Sequence, residues 1–152
     1  VPIDPLVAPG TAVDHAFELK WFMINGLRMD MNRIDLTVPV DSTQVWSVRN
    51  NDNWPHNFHV HDVRFQVIDI DGHAPPPELS GWKDTVYTEP GATYTLAMRF
   101  ETYADPTYPY MFHCHLLLHE DRGMMGQFLV LAPGQTPAPM TMPELGAGHQ
   151  HR

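Results

Sequence analysis

Cysteine is almost absent: among 152 residues only Cys114 carries a thiol. An internal disulfide is therefore excluded, and cysteine pairing says nothing about redox compartment. Positive charge is also scarce, with 9 Lys and Arg against 18 Asp and Glu and a formal net charge of -9. That balance argues against nucleic acid or an anionic membrane surface as partner and leaves cations, metal ions included, open. No apolar run approaches the roughly 20 residues of a membrane-spanning helix, so no membrane span is expected. Helical periodicity is nearly missing too; only LLLHEDRG, at 116–123, suggests a single turn. The chain starts at Val1 in VPIDPLVAPG, without an initiator methionine or a secretory leader. It is expected to be a mature, processed or excised segment.

What is present suits a single loop-rich β domain. Fifteen prolines and ten glycines accompany 43% hydrophobic residues, and the length suffices for one buried core. AFELKWFMING reads as a strand closing on an Asn-Gly turn, and TQVWSVRNND as a better one. FHVHDVRFQVIDIDG is the longest strand candidate, followed by the loop HAPPPELSG, which is not expected to be regular. KDTVYTEPGATYTLAMRF reads as two strands about the hairpin-like turn Glu89-Pro90-Gly91. YMFHCH and MMGQFLVLA complete the set. Many short strands with turn signals between them predict an all-β, Greek-key sandwich. The expected layout is a linker or arm over 1–16, the β domain over 17–132 and a low-order tail over 133–152.

Histidine is the residue type that is not spread evenly. Six of the ten lie in two short motifs, His56, His59 and His61 in WPHNFHVHD and His113, His115 and His119 in HCHLLLHEDRGMM. On an extended strand, neighbouring side chains point to opposite faces. Cys114 then faces away from His113 and His115, and His59 and His61 share a face that His56 does not. Two donor sets result. His56, Cys114, His119 and Met124 offer two imidazoles, a thiolate and a thioether, the ligands of a blue-copper electron-transfer site. His59, His61, His113 and His115 make half of something larger behind it. Ordinary core histidines explain any one of these positions but not the joint pattern, since buried imidazoles without partners are costly. Structural zinc usually takes four Cys and His ligands, often from paired CxxC units. A dinuclear zinc hydrolase is suggested by HVHD alone and leaves the rest unexplained, so copper fits best.

These two motifs resemble those of the C-terminal, type 1 copper-bearing cupredoxin domain of three-domain bacterial multicopper oxidases, the laccase and cuprous-oxidase group. The likeness runs from about INGLRMDMN to GQFLVL, and GWKDTV also matches the bacterial members. It implies a cupredoxin-like sandwich in which His56, Cys114 and His119 are equatorial ligands of type 1 copper and Met124 the axial one. It further implies His59 on type 2 copper and His61, His113 and His115 on the type 3 pair, the cluster that reduces O2 to water. Asp52 resembles an acidic residue beside the type 1 histidine, where a carboxylate orients the imidazole. Glu120 resembles a carboxylate that passes protons toward the oxygen site. Lys83 and Asp84 are expected to form a structural ion pair, and Met23, Met29, Met31, Met98 and Met111 to serve as packing.

The resemblance also implies eight cluster histidines, of which this chain supplies four. His15 and His73 are isolated, and the tail's His149-Gln150-His151 is not expected to bind specifically. The expectation is therefore an electron-accepting domain of a larger oxidase, sharing its cluster with a missing N-terminal domain and inactive alone. It would draw single electrons from phenols, diamines or metal ions, and its location would be extracytoplasmic (periplasmic or secreted). The alternative is a stand-alone blue-copper electron carrier or copper-binding module.

Overall fold

The computed structural model describes residues 4–101, 104–114 and 123–138. Ten strands are seen among them: β1 (His15–Lys20), β2 (Met23–Ile24), β3 (Leu36–Pro39), β4 (Ser42–Asn50), β5 (His56–Val60), β6 (Phe65–Ile70), β7 (Thr85–Thr88), β8 (Thr93–Phe100), β9 (Tyr110–His113) and β10 (Met125–Leu131). They form two five-stranded sheets, ordered β2-β1-β4-β8-β6 and β3-β10-β9-β5-β7. Pairing is antiparallel except for β1 beside β4 and β3 beside β10. This is the expected all-β, cupredoxin-like sandwich.

Alternation along the strands builds the core. In β5 the side chains of His56, Phe58 and Val60 are buried, while Asn57 and His59 on the other face are only partly so. Phe17, Trp46, Phe58, Phe100, Phe112 and Phe128 meet between the sheets, with ring centroids 4.9 to 6.5 Å apart where they pair. Non-parallel rings at such separations pack favourably beyond the area they bury. Gly126 of β10 faces Phe112 of β9. A Cβ there would lie 2.2 Å from the Phe112 ring, so glycine is required for close approach of the ring.

Three local expectations are corrected. The long strand candidate across 58–70 is two strands in different sheets, because Asp62 takes φ 69 and turns the chain between them. Glu89-Pro90-Gly91 does not close a hairpin; it carries the chain from β7 in one sheet to β8 in the other. The loop HAPPPELSG holds a 3-10 turn at Pro77–Leu79, with Pro at its start, where a missing N–H costs nothing. The described part of the 1–16 arm straps the outer face of the first sheet. Gln66 of β6 accepts the Leu6 N–H at 2.7 Å and donates to the Asp4 carbonyl at 2.9 Å. Beneath that strap Gln66, Ala97 and Val45 form a row across three strands, all nearly inaccessible. The helical turn expected at 116–123 lies outside the described residues except for Gly123.

The β1–β2 connection is unusual. Lys20 pairs with Met23, so the turn has two central residues, Trp21 and Phe22, and both are left-handed at φ 56 and φ 58. Such turns match the twist of a hairpin but strongly prefer Asn-Gly, because a bulky side chain in this region costs roughly 1–2 kcal/mol.

Candidate metal centre

Strand parity separates the motif residues into two groups on opposite faces of the second sheet. On the core face, His56 opens β5 and Cys114 directly follows β9, both with no exposed surface. The His56 Nδ1 lies 3.7 Å from Cys114 Sγ. Its other nitrogen, Nε2, is 2.7 Å from Asp52 Oδ2, and the Asp52 side chain is itself only 4% exposed. An imidazole that donates one N–H to a buried carboxylate turns its other lone pair away, here toward the thiol. Met124 is fully buried beside them, and its carbonyl accepts the Cys114 N–H at 3.1 Å.

Asp52 is held in turn. Its carboxylate accepts the Trp21 N–H, at 3.2 Å to Oδ2, and its own N–H donates to Asn50 Oδ1 at 3.0 Å. Asn50 is wholly buried and donates to the carbonyls of Trp54 and Thr88 at 3.0 and 2.9 Å. One amide side chain thus pins the loop 51–55 that carries Asp52 to His56.

On the opposite face, His59, His61 and His113 converge. Their ring centroids are 5.1 to 5.2 Å apart pairwise, and donor nitrogens of all three lie within 4.8 Å of one another. His59 sits directly opposite His113 in the β5–β9 pairing. His113 Nε2 is 3.3 Å from His61 Nε2. Backbone carbonyls set the tautomers: His59 Nδ1–H reaches the Asp84 carbonyl at 2.8 Å, with Thr85 Oγ1 at 3.0 Å, and His113 Nδ1–H reaches the Cys114 carbonyl at 3.1 Å. That leaves Nε2 of both rings as the donor toward the shared centre.

His115, His119 and Glu120 lie outside the described residues. Asp84 is not paired with Lys83 but lies against His59, with Oδ1 3.9 Å from Nδ1; Lys83 exchanges backbone bonds with Phe65. Of the expected packing methionines Met98 is fully buried, whereas Met31 is 58% exposed. His15 stacks edge-on to Trp46. Sequence reasoning did not find Thr85, Asn50 or the Trp21 turn, since none carries a motif of its own.

A multicopper oxidase family model matches residues 6–134. This chain belongs to the multicopper oxidase family. Among curated relatives, multicopper oxidase mco of Staphylococcus haemolyticus is 41% identical over 111 residues, covering 70% of this chain and 24% of that protein. Cell division protein FtsP of Escherichia coli is 37% identical over 107 residues, covering 70% and 22%. Among solved structures, a laccase from Pediococcus acidilactici has a TM-score of 0.74 at 35% identity, covering 86% of this chain and 29% of its own. The laccase-like multicopper oxidase CueO of an Ochrobactrum species has a TM-score of 0.72 at 31% identity, covering 85% and 33%. The chain thus spans about a quarter of the length of the curated relatives it matches.

Multicopper oxidases are copper proteins, and the donor spacing of this member suits a first-row transition metal. A thiolate at about 2.3 Å and an imidazole at about 2.0 Å from one ion, near-trigonally disposed, stand about 3.7 Å apart. The Cys114–His56 separation is 3.7 Å. Two imidazoles on one tetrahedral ion stand about 3.3 Å apart, which is the His61–His113 separation of 3.3 Å. The chemistry agrees: the thiol–imidazole–thioether set is soft and buried, the all-imidazole set harder and part-exposed.

Proposed function

We propose that this chain is the electron-accepting cupredoxin domain of a multicopper oxidase, with a complete type 1 copper site and half of a trinuclear cluster. His56, Cys114, His119 and Met124 hold type 1 copper in this reading. His59 binds type 2 copper, and His61, His113 and His115 bind type 3 copper. Further cluster ligands come from N-terminal cupredoxin domains of a longer parent. Copper in these positions supplies one-electron oxidation of a phenol, diamine or metal ion at the first site and four-electron reduction of O2 to water at the second.

The observation that carries the reading is the adjacency of Cys114 and His113. One peptide unit joins a thiolate in the buried donor set to an imidazole in the three-histidine set, with the two side chains on opposite faces of the sheet. A stand-alone carrier has no use for the second set. The chain's other residues orient and seal. Asp52 fixes the His56 tautomer, the Asp84 carbonyl and Thr85 fix His59, and Phe58, Phe112 and Phe128 keep water from the space behind Cys114. Glu120 delivers protons toward the oxygen site. The parent works outside the cytoplasm, as the resemblance implies.

The test is copper reconstitution of the chain, followed by copper per chain, visible absorption and oxygen uptake with a phenolic donor. One blue copper without oxygen uptake supports a domain that needs its partner. Sustained uptake by the chain alone would overturn the division of cluster ligands between domains.

A further inference from the structure

The left-handed Trp21-Phe22 turn lies directly outside the His56–Asp52 pair. From the inside outward, His56 has no exposed surface, Asp52 covers its Nε2 at 2.7 Å, and the Trp21 N–H covers Asp52 at 3.2 Å. The outermost layer is aromatic: the Trp21 side chain is 58% exposed, Trp54 is 38% exposed, and the Phe22 and Trp54 rings pair at 6.2 Å. Strained backbone at consecutive bulky residues persists only where its surroundings hold it, and such outliers gather at functional sites. Asn-Gly would close the same turn more easily, so the hairpin alone does not account for two aromatics here.

We infer that Trp21 and Trp54 are specificity-determining residues of the electron-accepting site, presenting a stacking surface for planar aromatic donors. This rests on the type 1 assignment of His56 and Cys114, and it selects among the three donor classes that assignment leaves open. A hydrated metal ion needs several oxygen, nitrogen or sulfur ligands to be held. The Asp52 carboxylate is already engaged by His56 and Trp21, and Glu18 by Asn51. An aromatic ring finds two part-exposed indoles, on which it can stack offset or edge-on. Copper held by His56 and Cys114 would supply the one-electron acceptor for such a donor, and the hydroxyl proton of a phenol would pass to water.

The variants are Trp21→Asn, which suits a left-handed turn and removes the ring, Trp54→Leu, the conservative Trp21→Tyr, and Trp82→Leu as an exposed control away from the turn. First, 4-methoxyphenol is titrated into the metal-free chain while the four indole N–H resonances are followed by NMR. Saturable shifts at Trp21 and Trp54 but not at Trp82 are expected. Second, the copper-loaded chain is mixed with the same phenol or with hexacyanoferrate(II), and bleaching of the blue band is timed. Trp21→Asn should slow bleaching by the phenol about tenfold, with Trp21→Tyr restoring most of it, and leave the inorganic donor within about twofold. Equal slowing of both donors, or none, would overturn the specificity role while leaving the type 1 site intact. A wild-type chain that binds copper without a blue band would instead remove the assignment on which the role rests.

Discussion

Substituting Gly126 by alanine adds one methyl group where the Phe112 ring of β9 crosses β10. The new Cβ would lie 2.2 and 2.5 Å from Cζ and Cε1 of Phe112 and 2.9 Å from Asp35 Oδ2. Two effects oppose each other. Alanine loses less conformational entropy than glycine in a strand, a gain of about 0.5–1 kcal/mol. Against it stands a clash that neither neighbour can relieve cheaply. Phe112 is wedged among Phe17, Phe58, Trp46 and Phe128. Asp35 is bound by the Gln127 N–H at 2.8 Å and by Arg33 Nε at 2.6 Å. Overpacking of a filled core typically costs about 1–3 kcal/mol, and the contacts here call for the upper end, so the net loss is about 2 kcal/mol. For a chain of this size each kcal/mol lowers the midpoint by roughly 2–4 °C. Gly126→Ala should therefore melt about 4–8 °C lower by circular dichroism. Because Phe112 immediately precedes His113 and Cys114, the copper-loaded variant should also show a shifted blue band. A melting point equal to or above that of the parent chain would mean that Phe112 is not held as described.

Four further outcomes follow from the same structure. Asp52→Ala leaves a buried imidazole N–H without its acceptor and should cost about 1–3 kcal/mol in chemical denaturation of the metal-free chain; no change would remove Asp52 from the site. Asn50→Ala cancels the bonds that pin the loop 51–55 and should raise amide exchange in that loop, with a stability loss of about 2–4 kcal/mol. Gln66→Leu keeps the bulk but releases the strap, so limited proteolysis should cut within residues 4–14 faster while the core stays intact. Burial lowers the His15 pKa below its ordinary 6.5, with the Asp14 charge opposing. The unfolded chain then binds the proton more readily, so this contribution is full above the ordinary value and is lost as pH falls below it. His15→Gln should flatten the difference in stability between pH 7 and pH 5.5 relative to the parent, measured by urea titration at each pH.

Much of the candidate site was legible in the sequence because its histidines repeat at strand spacing. The two-residue step from His59 to His61, and the alternation of His113 with Cys114, encode which face each of these side chains takes. The turns were less legible. Asp62 and Asp71 adopt positive φ, but only Asp71 stands before a glycine, so only the second turn announced itself and the first was read through as strand. Whether Glu89-Pro90-Gly91 joins strands of one sheet or of two depends on non-local pairing that no turn signal records. The groups that orient the ligands were hidden for a different reason. Asp84 and Thr85 act on His59 through a backbone carbonyl and a hydroxyl, and any sequence offers these everywhere. Gln66 reads as a polar interruption of a strand until the strap that its amide binds is seen across it.

The type 1 assignment is tested most simply by visible absorption of the copper-reconstituted chain beside its Cys114→Ser variant. An intense blue band from one copper per chain is expected that vanishes in the variant, while copper binding at His59, His61 and His113 persists. A colourless parent chain, or a blue band that survives loss of the thiolate, would contradict it.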